Sequence, residues 1–153
     1  MHITSDSRRL AWVARLWVAA QFGLIAGLLL WPAHWSWNVG ASALLLAALA
    51  LGVSALRANP PGNFNIRPLP KEGSRLIGSG PYRWIRHPMY SALLLAAAAA
   101  LAAAPTQAHL LLALALALVL HGKAALEERL LRQRWPQYAA YCRSSRRFIP
   151  WLW

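Results

Sequence analysis

The chain has 153 residues, about one domain, of which 58% are hydrophobic and 13% charged, where soluble globular domains carry roughly 45–50% and 25%. Sixteen Lys and Arg against four Asp and Glu give a net charge of +12. In a soluble protein that charge suggests nucleic acid, but here the cations fall between long apolar blocks, the pattern of a membrane protein with a basic cytoplasmic face. The single Cys142 excludes an internal disulfide framework and any multi-cysteine metal site.

In chain order, four blocks read as membrane helices by the rule that about 20 apolar residues span a bilayer. They run from about Leu10 to Trp31, Trp37 to Leu56, Met89 to Ala104 and Gln107 to His121. The last two are short, about 24 Å each at 1.5 Å per residue. Pro105 between them predicts a tight turn and a short hairpin that thins the bilayer or recesses into the protein. The first block is too long for the h-region of a cleavable signal and has no A-x-A-like site, so no signal peptide is expected. The expected fold is an all-α integral membrane domain over 1–153. It has a first hairpin at 1–56, a loop at 57–88, a second hairpin at 89–126 and a tail at 127–153.

Charge orients these helices. Arg8 and Arg9 precede the first block; the loop holds Arg57, Arg67, Lys71, Arg75, Arg83 and Arg86; the tail holds Lys123, Arg129, Arg132, Arg134, Arg143, Arg146 and Arg147. The turns at Pro32–Ser36 and Pro105–Thr106 have no Lys or Arg. The positive-inside rule therefore predicts both termini, the loop and the tail in the cytoplasm, with the protein in the inner membrane. Trp31, Trp35 and Trp37 mark the outer interface, and Trp84, Trp135, Trp151 and Trp153 the inner one. Gly23 and Gly27 form a small-xxx-small pair, and the Ala/Leu runs at Ala96–Ala104 and Leu110–Leu120 predict that the third and fourth helices pack closely. Arg15, a turn inside the first helix, snorkels to the headgroups.

The chemistry lies on the basic side. Between Asn59 and Gly80 stand Pro60, Pro61, Gly62, Pro68, Pro70, Gly73, Gly78 and Gly80, a density of breakers that precludes a long helix. Loops this long are functional or disordered. Gly80-Pro81-Tyr82-Arg83-Trp84-Ile85-Arg86-His87-Pro88-Met89-Tyr90 follows, with Pro88 in the first turn of the third helix. The free N–H groups of that turn and His87 form a candidate anion site. Glu127 and Glu128, two of only four acids, stand just past the fourth block. A helical pair from Glu128 to Arg132 accounts for one of them; two adjacent carboxylates at a membrane boundary suit a cation such as an ammonium or a sulfonium. Pro136 ends that helix, and Tyr138, Tyr141, Arg143, Arg147 and Ile149-Pro150-Trp151 follow.

The order G-P-Y-R-W-I-R-H-P-M-Y, an apolar hairpin, E-E-R-L-L, Y-x-x-Y and R-F-I-P-W-L resembles the isoprenylcysteine carboxyl methyltransferase-like family, itself similar to the phospholipid N-methyltransferases, over roughly Asn59 to Trp153. The resemblance implies an integral membrane methyltransferase using S-adenosylmethionine, with S-adenosylhomocysteine as product and no metal. It implicates Gly80, Tyr82, His87, Pro88, Tyr90, Glu127, Glu128, Tyr141 and Arg147 in the cofactor pocket and Arg86, His87 and Tyr90 in catalysis. The loop and tail are expected to roof that pocket. One departure is Ser145-Arg146 before Arg147-Phe148-Ile149-Pro150, where many relatives resemble V-P.

The implied chemistry fits the residues. The helix opening at His87-Pro88 suits the cofactor's carboxylate and Glu127 or Glu128 its ammonium, and a lipidic or small hydrophobic acceptor arrives from the bilayer. In-line methyl transfer requires positioning and desolvation rather than a nucleophilic side chain. The acceptor atom stays open among carboxylate, amine and thiol. Two other classes stay open: an NADPH-dependent, sterol-reductase-like enzyme, similar in R-H-P-x-Y and the Tyr141-Cys142 and Ile149-Pro150 tail, and a non-enzymatic haem binder or carrier using His87 and His121.

Overall fold

The computed structural model describes residues 5–60, 62–63, 66–69 and 73–150. The readings placed on Pro61, Pro70, Lys71, Trp151 and Trp153 lie outside them. The chain folds into helices α1 (Ser5–Leu30), α2 (Val39–Ala58), α3 (Pro88–Ala103), α4 (Gln107–Arg134) and α5 (Tyr138–Ser144), with a 3-10 turn at Gly80–Arg83. Among the described residues there is no sheet, only one isolated parallel bridge between Ile85 and Arg146. Stretches within α1, α2 and α4 are long and apolar enough to cross a membrane; α3 is apolar but has only 16 residues.

Local chemistry sets the helix ends. α2 starts at Val39 rather than Trp37 because the Asn38 side chain accepts from the Ala41 N–H at 2.9 Å, a capping bond at the N-terminus. Thr106 caps α4 in the same way through the His109 N–H at 3.2 Å. α4 outruns its apolar block by more than three turns, through the good helix formers of Ala124–Leu131, and stops at Trp135 just before Pro136.

Packing does not simply follow the chain order of the helices. α2 lies mainly against α3 and α1 mainly against α4, while α1 and α2 are not substantial neighbours. α3 and α4 do touch as a short hairpin, but less extensively than α3 touches α2. Small residues explain these pairings. Gly52 of α2 faces Ala92 of α3, and Gly122 of α4 lies under the Trp17 ring of α1. Gly27 leaves only 3.1 Å between a built Cβ and Leu112 of α4, whereas Gly23 has open space around it, so the glycine pair works through one member.

A Cβ at Gly122 falls inside the space of the Trp17 ring. Gly122→Ala is therefore expected to lower the thermal stability of the detergent-solubilised protein by about 1–3 kcal/mol, the usual cost of overpacking. Trp17→Leu in the same chain should restore much of the loss.

Lys123 stands apart from the other cations of the basic tail. It is fully buried, with its ammonium donating to Gln21 Oε1 of α1 and to the Ile66 carbonyl at 3.3 Å, and lying 5.1 Å from the centre of the Tyr90 ring. The lysine thus fastens α1 and the backbone at Ile66 to α4. Arg15 is exposed over the Trp12 ring, and Arg83 and Trp84 are exposed and stacked on each other.

Candidate functional site

The site is assembled where the start of α3, the far end of α4 and the tail converge. Gly80 adopts φ +56° and a Cβ there meets the Ala58 Cβ at 2.9 Å, so its glycine serves the close approach of the 3-10 turn to α2. From Trp84 to His87 the backbone runs beside the tail. Arg146 N–H donates to Trp84 O at 2.8 Å, Arg86 N–H to Arg146 O at 2.7 Å and His87 N–H to Arg147 O at 3.1 Å. Ser91 Oγ then donates to Phe148 O at 2.6 Å. Arg146, at the position where the sequence departs from V-P, uses an N–H that a proline lacks. The tail is docked by backbone groups, which residue types alone do not announce.

Consecutive positions on α4 send Glu127 and Glu128 in different directions. The Glu128 side chain is only 2% exposed and fully engaged: Arg86 Nε lies at 2.9 Å, Arg147 contributes Nε at 3.1 Å and Nη2 at 2.8 Å, and His87 Nε2 lies at 3.3 Å. Arg132, the helical partner expected from sequence, stands at 3.7 Å and is itself exposed. Arg86 also donates to the carbonyls of Cys142 and Ser145, closing a clasp from α4 through the start of α3 to the tail. Hydrogen bonding to Glu128 holds the Arg147 guanidinium above its ordinary pKa.

Glu127 is different. Its side chain is 28% exposed, receives the Tyr90 hydroxyl at 3.0 Å and lies 3.6 Å from His87 Nδ1. The His87 and Tyr90 rings stack in parallel with centroids 5.2 Å apart. His87 therefore stands between the two carboxylates, and Tyr90 steadies the exposed one.

Glu127 faces a cleft that opens to solvent. Of the residues expected there, Tyr82, Arg86, His87, Pro88, Tyr90, Glu127 and Tyr141 line it; Gly80, Glu128 and Arg147 do not. Arg143 is exposed. Sequence reasoning missed the loop wall and part of the tail wall. Asn59 and Asn63 line the cleft, their side chains joined at 2.7 Å, and Asn63 clamps Arg75 through its N–H at 2.7 Å and its carbonyl at 3.0 Å. Two asparagines flanking a proline-rich stretch are a weak signal, yet they tie the end of α2 to Arg75. Trp135 and Tyr138 complete the wall.

The expected anion site at the start of α3 is largely used up. His87 N–H is held by Arg147 O, Pro88 has no N–H, and the Tyr90 and Ser91 N–H groups both donate to His87 O at 3.0 Å. Among the first-turn groups only the Met89 N–H remains. Burial pushes the Tyr82, Tyr138 and Tyr141 phenols above their ordinary pKa, so all three are neutral near pH 7. Tyr141 donates to Tyr82 O at 2.6 Å, pinning the tail wall to the 3-10 turn. Phe148 packs against both His87 and His121, with ring centroids 6.0 and 6.3 Å away. Among the described residues, no three His, Cys, Asp or Glu side chains gather at metal-ligating distance.

The chain is 34% identical over 83 residues to the cobalt-zinc-cadmium resistance protein CzcN of Cupriavidus metallidurans, covering 54% of this chain and 38% of that relative. It thus spans about two fifths of the relative's length. No solved structure matches the chain. The profile of the isoprenylcysteine carboxyl methyltransferase family matches residues 41–133, which include the R-H-P-x-Y segment and both glutamates. On that match the chain belongs to the isoprenylcysteine carboxyl methyltransferase family, a family of membrane methyltransferases.

Proposed function

We propose that the protein transfers a methyl group from S-adenosylmethionine to a small or lipidic acceptor at the inner face of the cytoplasmic membrane. The observation that carries this reading is the division between the two glutamates: Glu128 is spent on Arg86, Arg147 and His87, while Glu127 presents its carboxylate to the cleft. In so basic a chain, a carboxylate oriented by Tyr90 and left facing a cleft suits a cationic ligand.

The cleft fits this ligand at both charges of its amino-acid end. Glu127 takes the ammonium, and the Met89 N–H with the cleft-lining Arg75 takes the carboxylate. When bound, the sulfonium supplies an electrophilic methyl; the chain's own residues hold, orient and desolvate. Arg86 and His87 act as positioning residues, since their side chains fix Glu128 and the tail. α3, short as it is, crosses with the three longer helices as the inner half of a recessed hairpin. A carboxylate, amine or thiol on the acceptor would form its bond to the methyl carbon as the carbon–sulfur bond breaks, the electron pair returning to the sulfur of S-adenosylhomocysteine and the proton of an amine or thiol passing to water. NADPH suits the cleft less well, because Glu127 repels its phosphates.

The test is transfer of label from methyl-tritiated S-adenosylmethionine in membranes that contain the protein. Label is expected in the lipid or small-molecule fraction; oxidation of NADPH with no label transferred favours the reductase reading. Orientation is tested with single cysteines in a Cys142→Ser background. Cysteines at Ser74 and Arg143 should react only from the cytoplasmic side, and those at Ala33 and Thr106 only from outside. Reaction of Arg143→Cys from outside contradicts the orientation.

A further inference from the structure

Lys123 is fully buried in a helix long and apolar enough to cross a membrane. An ionisable side chain in such a helix is costly and calls for a function. Fastening α1 to α4 does not by itself need a charge, because apolar groups of the same shape often replace a buried polar link without loss of stability. Gly27 against Leu112 and Gly122 under the Trp17 ring already fit the same two helices together by shape. What an apolar side chain cannot replace is the third contact of the ammonium, over the Tyr90 ring at 5.1 Å from its centre.

That ring leads to the cleft. Tyr90 is buried, stacks on His87 with the two planes 1° apart, and donates its hydroxyl to Glu127 at 3.0 Å. A phenol hydroxyl lies on the axis of its ring, so whatever fixes the ring fixes where the hydroxyl points. The ammonium is fixed in turn from two other parts of the chain, through Gln21 Oε1 of α1 and the Ile66 carbonyl at 3.3 Å. Gln21 is itself buried. A continuous line of contacts therefore runs from α1 through Lys123 and Tyr90 to Glu127. α1 lies outside residues 41–133, the part of the chain that the family profile matches, so the family match does not carry this link.

We infer that Lys123 is a positioning residue: its ammonium, anchored by Gln21 and the Ile66 carbonyl, holds the Tyr90 ring and so keeps the Tyr90 hydroxyl on the Glu127 carboxylate, which makes α1 part of the machinery of the site. This role depends on Glu127 being the ligand carboxylate, and so on the methyltransferase reading of the cleft.

The experiment is calorimetric titration with S-adenosylhomocysteine of the detergent-solubilised parent, Lys123→Met, Gln21→Leu and Gln21→Glu, each with and without Tyr90→Phe. Lys123→Met should weaken the ligand by up to about 30-fold, the whole worth of a desolvated cation–π contact. Gln21→Leu keeps the ammonium but removes its anchor, and should weaken the ligand by a smaller factor. Gln21→Glu keeps an acceptor oxygen at that place and should bind like the parent. Tyr90→Phe keeps the ring and removes the hydroxyl, so beside it Lys123→Met and Gln21→Leu should cost no further affinity. Losses that persist undiminished beside Tyr90→Phe overturn the role, because they show the lysine acting through the bundle as a whole. Equal losses in Gln21→Leu and Gln21→Glu overturn it too. So does parental or tighter binding by Lys123→Met and Gln21→Leu, and all three results leave the methyltransferase reading intact. If Lys123→Met does not fold, the two Gln21 variants with and without Tyr90→Phe decide alone. A parent that does not bind S-adenosylhomocysteine overturns both readings.

Discussion

Glu128→Gln is expected to destabilise the protein by about 3 kcal/mol, the lower end of the cost of breaking a buried ion pair. The lower end applies because Arg86 and Arg147 keep side-chain exposures of 12% and 21%, so solvent softens their loss of a partner. The amide retains the size of the carboxylate but holds one acceptor oxygen where two now serve Arg86, His87 and both arms of Arg147. Arg86 also grips the Cys142 and Ser145 carbonyls, so loosening it releases the tail together with Glu128. Proteolysis near residues 140–147 should accelerate along with the fall in thermal stability. Unchanged stability and protease resistance in this variant would show that the clasp is not what docks the tail.

Glu127→Gln is expected to act in the opposite sense, on ligand and not on fold. Its carboxylate is partly exposed and has one short hydrogen bond, from Tyr90, which an amide oxygen can also accept. Thermal stability should change by less than about 0.5 kcal/mol, as for a surface pair. A charge-assisted hydrogen bond to an ammonium is worth about 1.5–3 kcal/mol, so affinity for S-adenosylmethionine should fall about 10- to 150-fold. Calorimetry of the two variants side by side separates the roles: one loses stability, the other loses ligand. Retention of parental affinity by Glu127→Gln removes the cation-binding role from this residue.

Adjacent glutamates with such different environments show where sequence reading stops. The helix positions were legible: Pro88 opens α3, Pro105 separates α3 from α4, and Pro136 follows the end of α4. These are consequences of a missing N–H and a fixed φ, which act locally. The meeting of His87 with Glu127 was legible too, since both lie at the same end of antiparallel helices. Which glutamate faces the cleft was not, because a rotation of about 100° per residue separates them and the Ala/Leu background gives no strong apolar stripe to fix that rotation. Pairing α2 with α3 and α1 with α4 rests on Gly52, Gly122 and Trp17 fitting their neighbours, a matter of shape rather than periodicity. Lys123 reads as one more cation of a basic tail, and only Gln21 and Ile66, far away in sequence, reveal it as buried. Backbone bonds between residues 84–87 and 146–147 leave no trace in residue type at all.

Glu127 as the ligand carboxylate and Glu128 as the structural one is the claim on which the mechanism stands. It is tested most directly by a structure of the protein determined with S-adenosylhomocysteine. The ligand's ammonium should lie within hydrogen-bond distance of the Glu127 carboxylate, with Glu128 still bonded to Arg86 and Arg147. A ligand bound away from Glu127, or bound through a Glu128 that has given up its arginines, contradicts it.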